Sequence, residues 1–116
     1  MEKSKSSPAI SFTELLGETK KLKIDQLRTD TDVELEFVMR TDTLDTLHPT
    51  LEKYFGAAIK PAGVEPSKEV EEITSSMGGV WRNQTFYYLM TDGTASCAMI
   101  WPWGDGKSAT VKIIKL

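Results

Sequence analysis

The sequence has little of the chemistry that marks disulfide-linked, metal-binding or membrane-spanning proteins. Its 116 residues include one cysteine, Cys97, and one histidine, His48. A single cysteine cannot form an internal disulfide, and a zinc site needs more Cys and His ligands than these, so we expect no metal and no other cofactor. No stretch approaches the roughly 18 apolar residues of a membrane span, and residues 1–7 lack the apolar segment of a secretion signal. These absences predict a cytoplasmic protein without a membrane partner.

Charge and motifs argue against nucleic-acid binding and against catalysis. The net charge is −3, and no stripe of Lys or Arg suits a phosphate backbone, so we expect no nucleic-acid partner. Residues 104–107 read Gly-Asp-Gly-Lys, but a strand is predicted after them, whereas a phosphate-binding loop leads into a helix. We expect His48 to cap a helix or face water, and Cys97 to be a small buried side chain. No nucleophile can be matched with a base, so we predict that the protein is not an enzyme.

Residues 84–116 are typical of a three-stranded antiparallel meander. The stretch from 85 to 90 is rich in aromatic and β-favouring residues, and Asp92-Gly93 is the preferred pair for a two-residue hairpin loop. This loop predicts the first register of the meander. The facing pairs are Met90 and Ala95, Tyr88 and Cys97, Phe86 and Met99, and Gln84 and Trp101.

The second turn of the meander admits two loop lengths. A two-residue Asp-Gly loop places Lys112 opposite Met99, and it puts Pro102 where a strand NH has to donate to the last strand, which proline cannot do. A three-residue loop that ends at Gly106, with a positive φ there, turns the missing NH of Pro102 away. We therefore predict the three-residue loop, with Met99 opposite Val111 and Cys97 opposite Ile113.

Side chains alternate across a strand, so these registers divide the meander into two faces, and both are apolar. An open sheet normally needs to cover only one, so the second apolar face is the main functional clue. We assign face A to the core. Face A is defined by Phe86, Tyr88, Met90, Cys97, Met99 and Trp101, and face B by Tyr87, Leu89, Ala98, Ile100 and Pro102; the predicted register adds Val111 and Ile113 to face A, and Thr110 and Lys112 to face B.

The rest of the chain predicts three helices and two further strands. The resulting order, α-β-β-α-α-β-β-β, is typical of a two-layer α+β domain, with an antiparallel sheet of about five strands and the helices packed on one face. We predict a flexible tail at residues 1–8 and a single domain at residues 9–116. The predicted elements are a helix opened by a Ser11–Glu14 capping box and ending near Gly17, strands at Lys21–Asp25 and Val33–Arg40, a helix from Asp45 or Thr46 to Gly56, and a helix capped by Ser67 and ended by Gly78-Gly79.

Face B predicts a surface for protein contact. Trp and Tyr are enriched at interfaces, and a contiguous exposed apolar patch marks a contact surface. We therefore predict an interaction module that binds a protein partner, or a copy of itself, through face B. The competing interpretation is that an N-terminal segment or a loop covers face B. The predicted contact residues are Trp81, Tyr87, Leu89, Ile100 and Pro102, with a charged rim of Glu34, Glu36, Arg40, Arg82 and Lys112.

Two other kinds of binding protein fit the same sequence. Trp81, Trp101 and Trp103 could form a stacking platform for a small ligand or a carbohydrate. Accessible indole faces in a concavity favour such a ligand, whereas a flat patch favours protein contact. Alternatively, an acidic surface could engage a basic partner, as a small inhibitor or immunity-type protein does. The acidic residues are Asp30, Asp32, Glu34, Glu36, Asp42 and Asp45.

Overall fold

The computed structural model describes residues 8–91 and 93–116 of the chain. These residues form three helices and one five-stranded sheet. The predicted tail lies outside the described residues except for Pro8. Short 3-10 turns at Thr41–Thr43 and Ser75–Met77 adjoin two of the helices. The elements are α1 at Phe12–Lys20, β1 at Gln26–Asp30, β2 at Glu34–Arg40, α2 at Leu44–Phe55, α3 at Lys68–Thr74, β3 at Thr85–Thr91, β4 at Thr94–Pro102 and β5 at Ser108–Lys115.

All five strands are antiparallel and lie in the spatial order β1-β2-β5-β4-β3. The last three strands form the predicted meander, and β2 pairs with β5 along its whole length. The predicted two-layer α+β class and its order of elements are therefore confirmed. None of the helices formed by the described residues is long and apolar enough to cross a membrane.

The main core lies between the sheet and the helices α1 and α2. The predicted alternation of β2 is confirmed at Leu35, Phe37 and Met39, which are fully buried, whereas Val33 lies before the strand and is half exposed. The helical stripe of α2 is also confirmed, because Leu47, Leu51 and Phe55 are buried against the same cluster. Burial of each such side chain contributes about 1.5–3 kcal/mol to stability.

The start of α1 is predicted correctly, but its end is not. The Ser11 hydroxyl accepts a hydrogen bond from the Glu14 N–H at 3.0 Å, and the Glu14 carboxylate accepts one from the Ser11 N–H at 2.9 Å. The helix then continues through Gly17 to Lys20. Thr19 is buried in this last part, next to the buried Leu16, and this packing outweighs the roughly 1 kcal/mol that a glycine costs inside a helix.

The first strand is displaced by five residues from the prediction. Residues 21–25 form the connection after α1, and the strand itself is Gln26–Asp30. Pairing with β2 begins at Asp25, whose N–H donates to the Val38 carbonyl at 2.9 Å. Because β1 is an edge strand with exposed, mostly polar side chains, it has no apolar alternation from which it could be predicted.

The helix α2 begins at Leu44, slightly earlier than predicted. Pro49 is consequently the sixth residue of the helix rather than a first-turn residue. Its missing N–H leaves the Asp45 carbonyl without an intrahelical partner, and this is tolerated because Asp45 is exposed to water. The predicted end is confirmed at Gly56, which adopts a φ of 75°.

The start of the third helix is predicted correctly, but the α-helix ends at Thr74 and a 3-10 turn continues it to Met77. The Ser67 hydroxyl accepts a hydrogen bond from the Val70 N–H at 3.2 Å, which caps the helix. The 3-10 turn after α3 ends at Gly78, whose φ of 94° is in the left-handed region that favours glycine.

The register of the first hairpin is confirmed. Gly93, the described half of the predicted loop, has a φ of 78°, whereas Asp92 lies outside the described residues. The strand β3 begins at Thr85, so the predicted pair of Gln84 and Trp101 is not part of the ladder. The other predicted pairs are present, namely Met90 with Ala95, Tyr88 with Cys97, and Phe86 with Met99.

The predicted register of the second hairpin is wrong by one residue. Met99 lies opposite Lys112 rather than Val111. The Trp103 N–H donates to the Ser108 carbonyl at 2.8 Å, so four residues form the loop and its predicted positive φ at Gly106, 71°, is retained. Hydrogen-bonded and non-hydrogen-bonded pairs alternate along an antiparallel ladder, so Pro102 falls in a non-hydrogen-bonded pair. The four-residue loop thus produces the same facing pairs between β4 and β5 as the two-residue loop, but it does not require a hydrogen bond from the proline nitrogen.

This one-residue shift inverts the predicted assignment of the core. It places Ile100 opposite Val111, and Ala98 opposite Ile113, so face B joins the buried side of β2 and β5. Face B therefore packs against α1 and α2, and the prediction that face A faces the main core is wrong. The residues of β5 on face A are Thr110, Lys112 and Ile114.

A second, smaller cluster covers part of face A. Phe86, Cys97 and Met99 are buried there together with Val70 of α3 and with Val80. The seven-residue helix α3 thus packs on β3 and β4 from face A, whereas α1 and α2 pack on face B, so the predicted placement of the helices on one face holds for α1 and α2 only. The face A side chains of β2 and β5 are half-buried or exposed, apart from Val38.

Lys60 is almost completely buried, at 1% exposure, beside the edge of β3. Its backbone N–H donates to the Phe86 carbonyl, and its own carbonyl accepts from the Phe86 N–H at 2.9 Å. Its ammonium group donates to the carbonyls of Pro61, Arg82 and Gln84, which matches the three protons of the group. Burial lowers the pKa of Lys60 below its ordinary value. The lysine therefore joins the connector after α2 to the turn before β3.

The assignment of face B to the core predicts that Ile100→Glu unfolds or severely destabilises the protein. Ile100 is 2% exposed, and an unpaired carboxylate at this position should cost more than about 3 kcal/mol. Met90→Glu is the control on face A, where the native side chain is 55% exposed and the change should stay within about 1 kcal/mol. Urea denaturation followed by circular dichroism measures both. Equal stability of the two variants would contradict the assignment.

Candidate functional site

The predicted contact patch on face B does not exist as a surface. Tyr87 and Ile100 are 1% and 2% exposed in the main core, and Leu89 and Pro102 are half-buried on the same face. Trp81 is 71% exposed, but it lies in the turn before β3, where the Gln84 N–H donates to its carbonyl. The helices α1 and α2 thus cover the face that was predicted to be free, because of the register shift between β4 and β5.

Tyr87 keeps a polar contact at the margin of this core. Its hydroxyl lies 2.8 Å from Nδ1 of His48 and donates to the Glu52 carboxylate at 3.5 Å. His48 and Glu52 are one turn apart on α2, so both side chains point toward β3. Burial raises the pKa of Tyr87 above its ordinary value, and the Glu52 carboxylate raises it further. His48 is thus half-buried and bonded to a core tyrosine rather than capping its helix.

The residues predicted as a charged rim lie largely on face A itself. Lys112 pairs with Glu34 at 3.5 Å, and Arg28 pairs with Glu36 at 3.8 Å. Both pairs lie on the outward side of β2, where acidic and basic groups alternate across neighbouring strands. Arg40 ends β2 on the same face and pairs with Asp42, whereas Arg82 lies in the turn before β3 and pairs with Glu65.

One end of face A is apolar and open. Met90 of β3 and Leu116, which follows β5, are each 55% exposed. The Leu116 N–H donates to the Ala95 carbonyl at 2.8 Å, which continues the β4–β5 register and places both exposed side chains on the same face. The adjacent row holds two half-buried apolar residues. We call this surface the face A patch, and it consists of Tyr88, Met90, Ile114 and Leu116.

The apolar residues of this patch are visible in the sequence, but the predicted register placed them on the wrong side of the sheet or gave them no role. Tyr88 and Met90 were assigned to the core side, and Ile114 received no role. A four-residue second loop, tested beside the shorter ones, would have placed Ile114 opposite Cys97 and so on face A.

The three tryptophans differ in their environments. Trp81 is exposed in a turn, whereas Trp101 is half-buried against the small cluster under α3. Trp103 is 40% exposed, and its indole Nε1 donates to the Thr110 hydroxyl at 2.9 Å. The hydrogen bond holds Trp103 against face A rather than leaving its ring free to move.

The acidic residues of the predicted inhibitor surface mostly have basic neighbours. Glu34 and Glu36 are paired on face A, as described above. Asp30 pairs with Lys20 at 3.1 Å, and Asp42 pairs with Arg40 at 3.7 Å. Four of the six carboxylates thus have a basic neighbour, and Asp32 and Asp45 are exposed to water.

Cys97 is buried on face A beside Met77, and its Sγ lies 3.9 Å from the methionine sulfur. Burial raises the pKa of the thiol to about 11. A thiol with such a pKa is almost entirely protonated at neutral pH and is a poor nucleophile. Among residues 8–91 and 93–116, no three side chains of His, Cys, Asp or Glu are grouped so that they could hold a metal ion.

Comparison of the chain with protein-family models, with curated proteins and with solved structures finds no match.

The Tyr87 environment predicts a loss of stability in alkaline solution. Because the folded protein holds the phenol proton more tightly than the unfolded chain, this contribution is fully present below the ordinary pKa of 10.0 and is lost as pH rises beyond it. Tyr87→Phe should lower stability by about 1 kcal/mol at pH 8 but should reduce the decline between about pH 10 and 11. Tyr88→Phe is the control and should retain the decline of the unmodified protein. Urea denaturation at each pH provides the measurement.

Proposed function

We propose that this protein is a non-enzymatic interaction module that binds a second copy of itself through face A. The observation that carries the proposal is the face A patch, in which Met90 and Leu116 are both 55% exposed on one sheet face. An exposed apolar group of this kind on a regular sheet is a common feature of protein contact surfaces. The proposal keeps the predicted class of function but moves it to the opposite face of the sheet.

The apolar patch and the charged strip are neighbours, which suits the layout of an interface. Met90 and Leu116 are the exposed apolar centre, and the rows of face A beyond Tyr88 and Ile114 lead to the paired charges of Glu34 and Lys112. Interfaces commonly have an apolar centre with a polar rim. Covering the patch would bury apolar surface at a gain of about 25 cal/mol per Å².

The charges favour an identical partner over a strongly charged one. Face A carries both signs side by side, since Lys112 pairs with Glu34 and Arg28 with Glu36. In a two-fold symmetric dimer the same surface meets itself, so a surface with both signs can exchange its ion pairs with those of its copy. A strongly basic or acidic partner would instead meet like charges.

The alternative functions have less support. A tryptophan platform needs convergent indoles, whereas Trp103 is bonded to the sheet and Trp101 is half-buried under α3. The hypothesis of an acidic inhibitor surface loses support because Asp30 and Asp42 are in ion pairs within the chain.

A non-enzymatic role is supported by the raised pKa of the Cys97 thiol. A cytoplasmic location is also part of the proposal, since an unpaired thiol is compatible with a reducing compartment.

The proposal predicts concentration-dependent dimerisation that Met90→Glu abolishes. A carboxylate in the centre of an apolar contact should raise the dissociation constant at least about tenfold, while the fold persists because the position is exposed in the single chain. Leu27→Glu is the matched control, because Leu27 is 48% exposed on the edge strand β1, far along the sheet from β3. Analytical ultracentrifugation over a range of concentrations measures the effect.

Two results would overturn the proposal. A protein that remains monomeric up to roughly millimolar concentration has no self-association of functional strength. Equal weakening by Met90→Glu and Leu27→Glu would mean that association is a general effect of apolar surface and does not use the face A patch.

A further inference from the structure

A cleft lies on the other side of the sheet from the face A patch. It has a volume of about 420 Å³ and is bounded by α2, by the connector that follows it and by β3. His48, Glu52 and the Tyr87 hydroxyl contribute its polar wall. The volume is within the range of small-molecule sites in proteins, and the three polar groups are already held by the Tyr87 contacts.

The polar wall is rich in hydrogen-bond acceptors. The single proton of the Tyr87 hydroxyl is directed to Glu52 or to Nδ1 of His48, and with either arrangement a carboxylate oxygen of Glu52 is available to a ligand. Glu52 is exposed, so a ligand can reach it from solvent. The Glu52 carboxylate lies beside the Tyr87 hydroxyl and adds to the effect of burial in raising the pKa of Tyr87. A ligand that brings donors and positive charge is favoured over an anion.

The rest of the cleft lining forms a small, apolar wall apart from Thr85. Ala57, Ala58, Pro61 and Ala62 line it, and none of them has a side chain that fills the space. Pro61 is fixed by the neighbouring Lys60, whose ammonium holds the Pro61 carbonyl at 2.9 Å. A short alkyl chain fits such a wall, since it can contact the alanine methyl groups.

We propose that this cleft binds a small primary alkylamine, with the ammonium group at the Glu52 carboxylate and the alkyl chain against the alanine wall. His48 and Tyr87 act as positioning residues that hold one side of the carboxylate. The site is independent of the proposed dimerisation, because it lies on the face B side of the sheet. Met90→Glu should therefore leave amine binding unchanged.

The test is a titration of the isotopically labelled protein with n-butylamine at pH 7, followed by NMR. The amides of Glu52, Ala57 and Ala58 should shift and saturate in roughly the millimolar range, as expected for so few ligand atoms. The matched ligands n-butanol and butyrate have the same chain without the positive charge, and they should bind at least about tenfold more weakly.

Two variants locate the contact. Glu52→Gln should weaken butylamine binding about tenfold, because it removes the charge while keeping the size of the side chain. Glu72→Gln makes the same change on the exposed surface of α3 and should leave binding unchanged. Circular dichroism should show both variants folded. The proposal is overturned by equal binding of butylamine and butanol, by absence of saturable shifts, or by equal affinities of the two variants.

Discussion

The pairing of β4 with β5 is the constraint on which the rest of the structure depends. Ile100 opposite Val111, and Ala98 opposite Ile113, join the β3–β4 hairpin to the β2–β5 pair as one continuous apolar floor under α1 and α2. Because side chains alternate with a period of two, a shift of β5 by one residue moves each of its side chains to the opposite face of the sheet. Pro102 excludes only the two-residue loop, and of the two longer loops only the four-residue one places Val111 and Ile113 on the same face as Ile100 and Ala98.

Most of the fold could be predicted from local patterns. The alternation of β2, the stripe of α2 and the caps at Ser11 and Ser67 each depend on neighbouring residues alone, and each is present. The strand β1 could not be predicted, because its side chains are mostly polar and exposed, and its position is decided by pairing with β2. The end of α1 was missed for a similar reason, since packing against the core overrides the glycine.

An open apolar face of the sheet was predicted, and it is face A rather than face B. The sequence indicated correctly that both faces of the meander are apolar, and the charged residues Glu34, Glu36 and Lys112 do lie on one face. The β3–β4 pairing was predicted correctly, but β5 was joined to β4 with an error of one residue, and that error exchanged the buried and open faces. The polar wall formed by His48 and Glu52 could not have been placed opposite Tyr87, because only the packing of α2 on β3 brings them together.

The buried ammonium of Lys60 has a consequence for the connector between α2 and α3. Rings of backbone carbonyls elsewhere hold potassium ions, which exchange with the solution. Here the cation is covalently attached to the chain whose carbonyls it binds, and it spans the Pro61 and Arg82 segments. The connector is therefore closed by a cation that cannot diffuse away from its carbonyls.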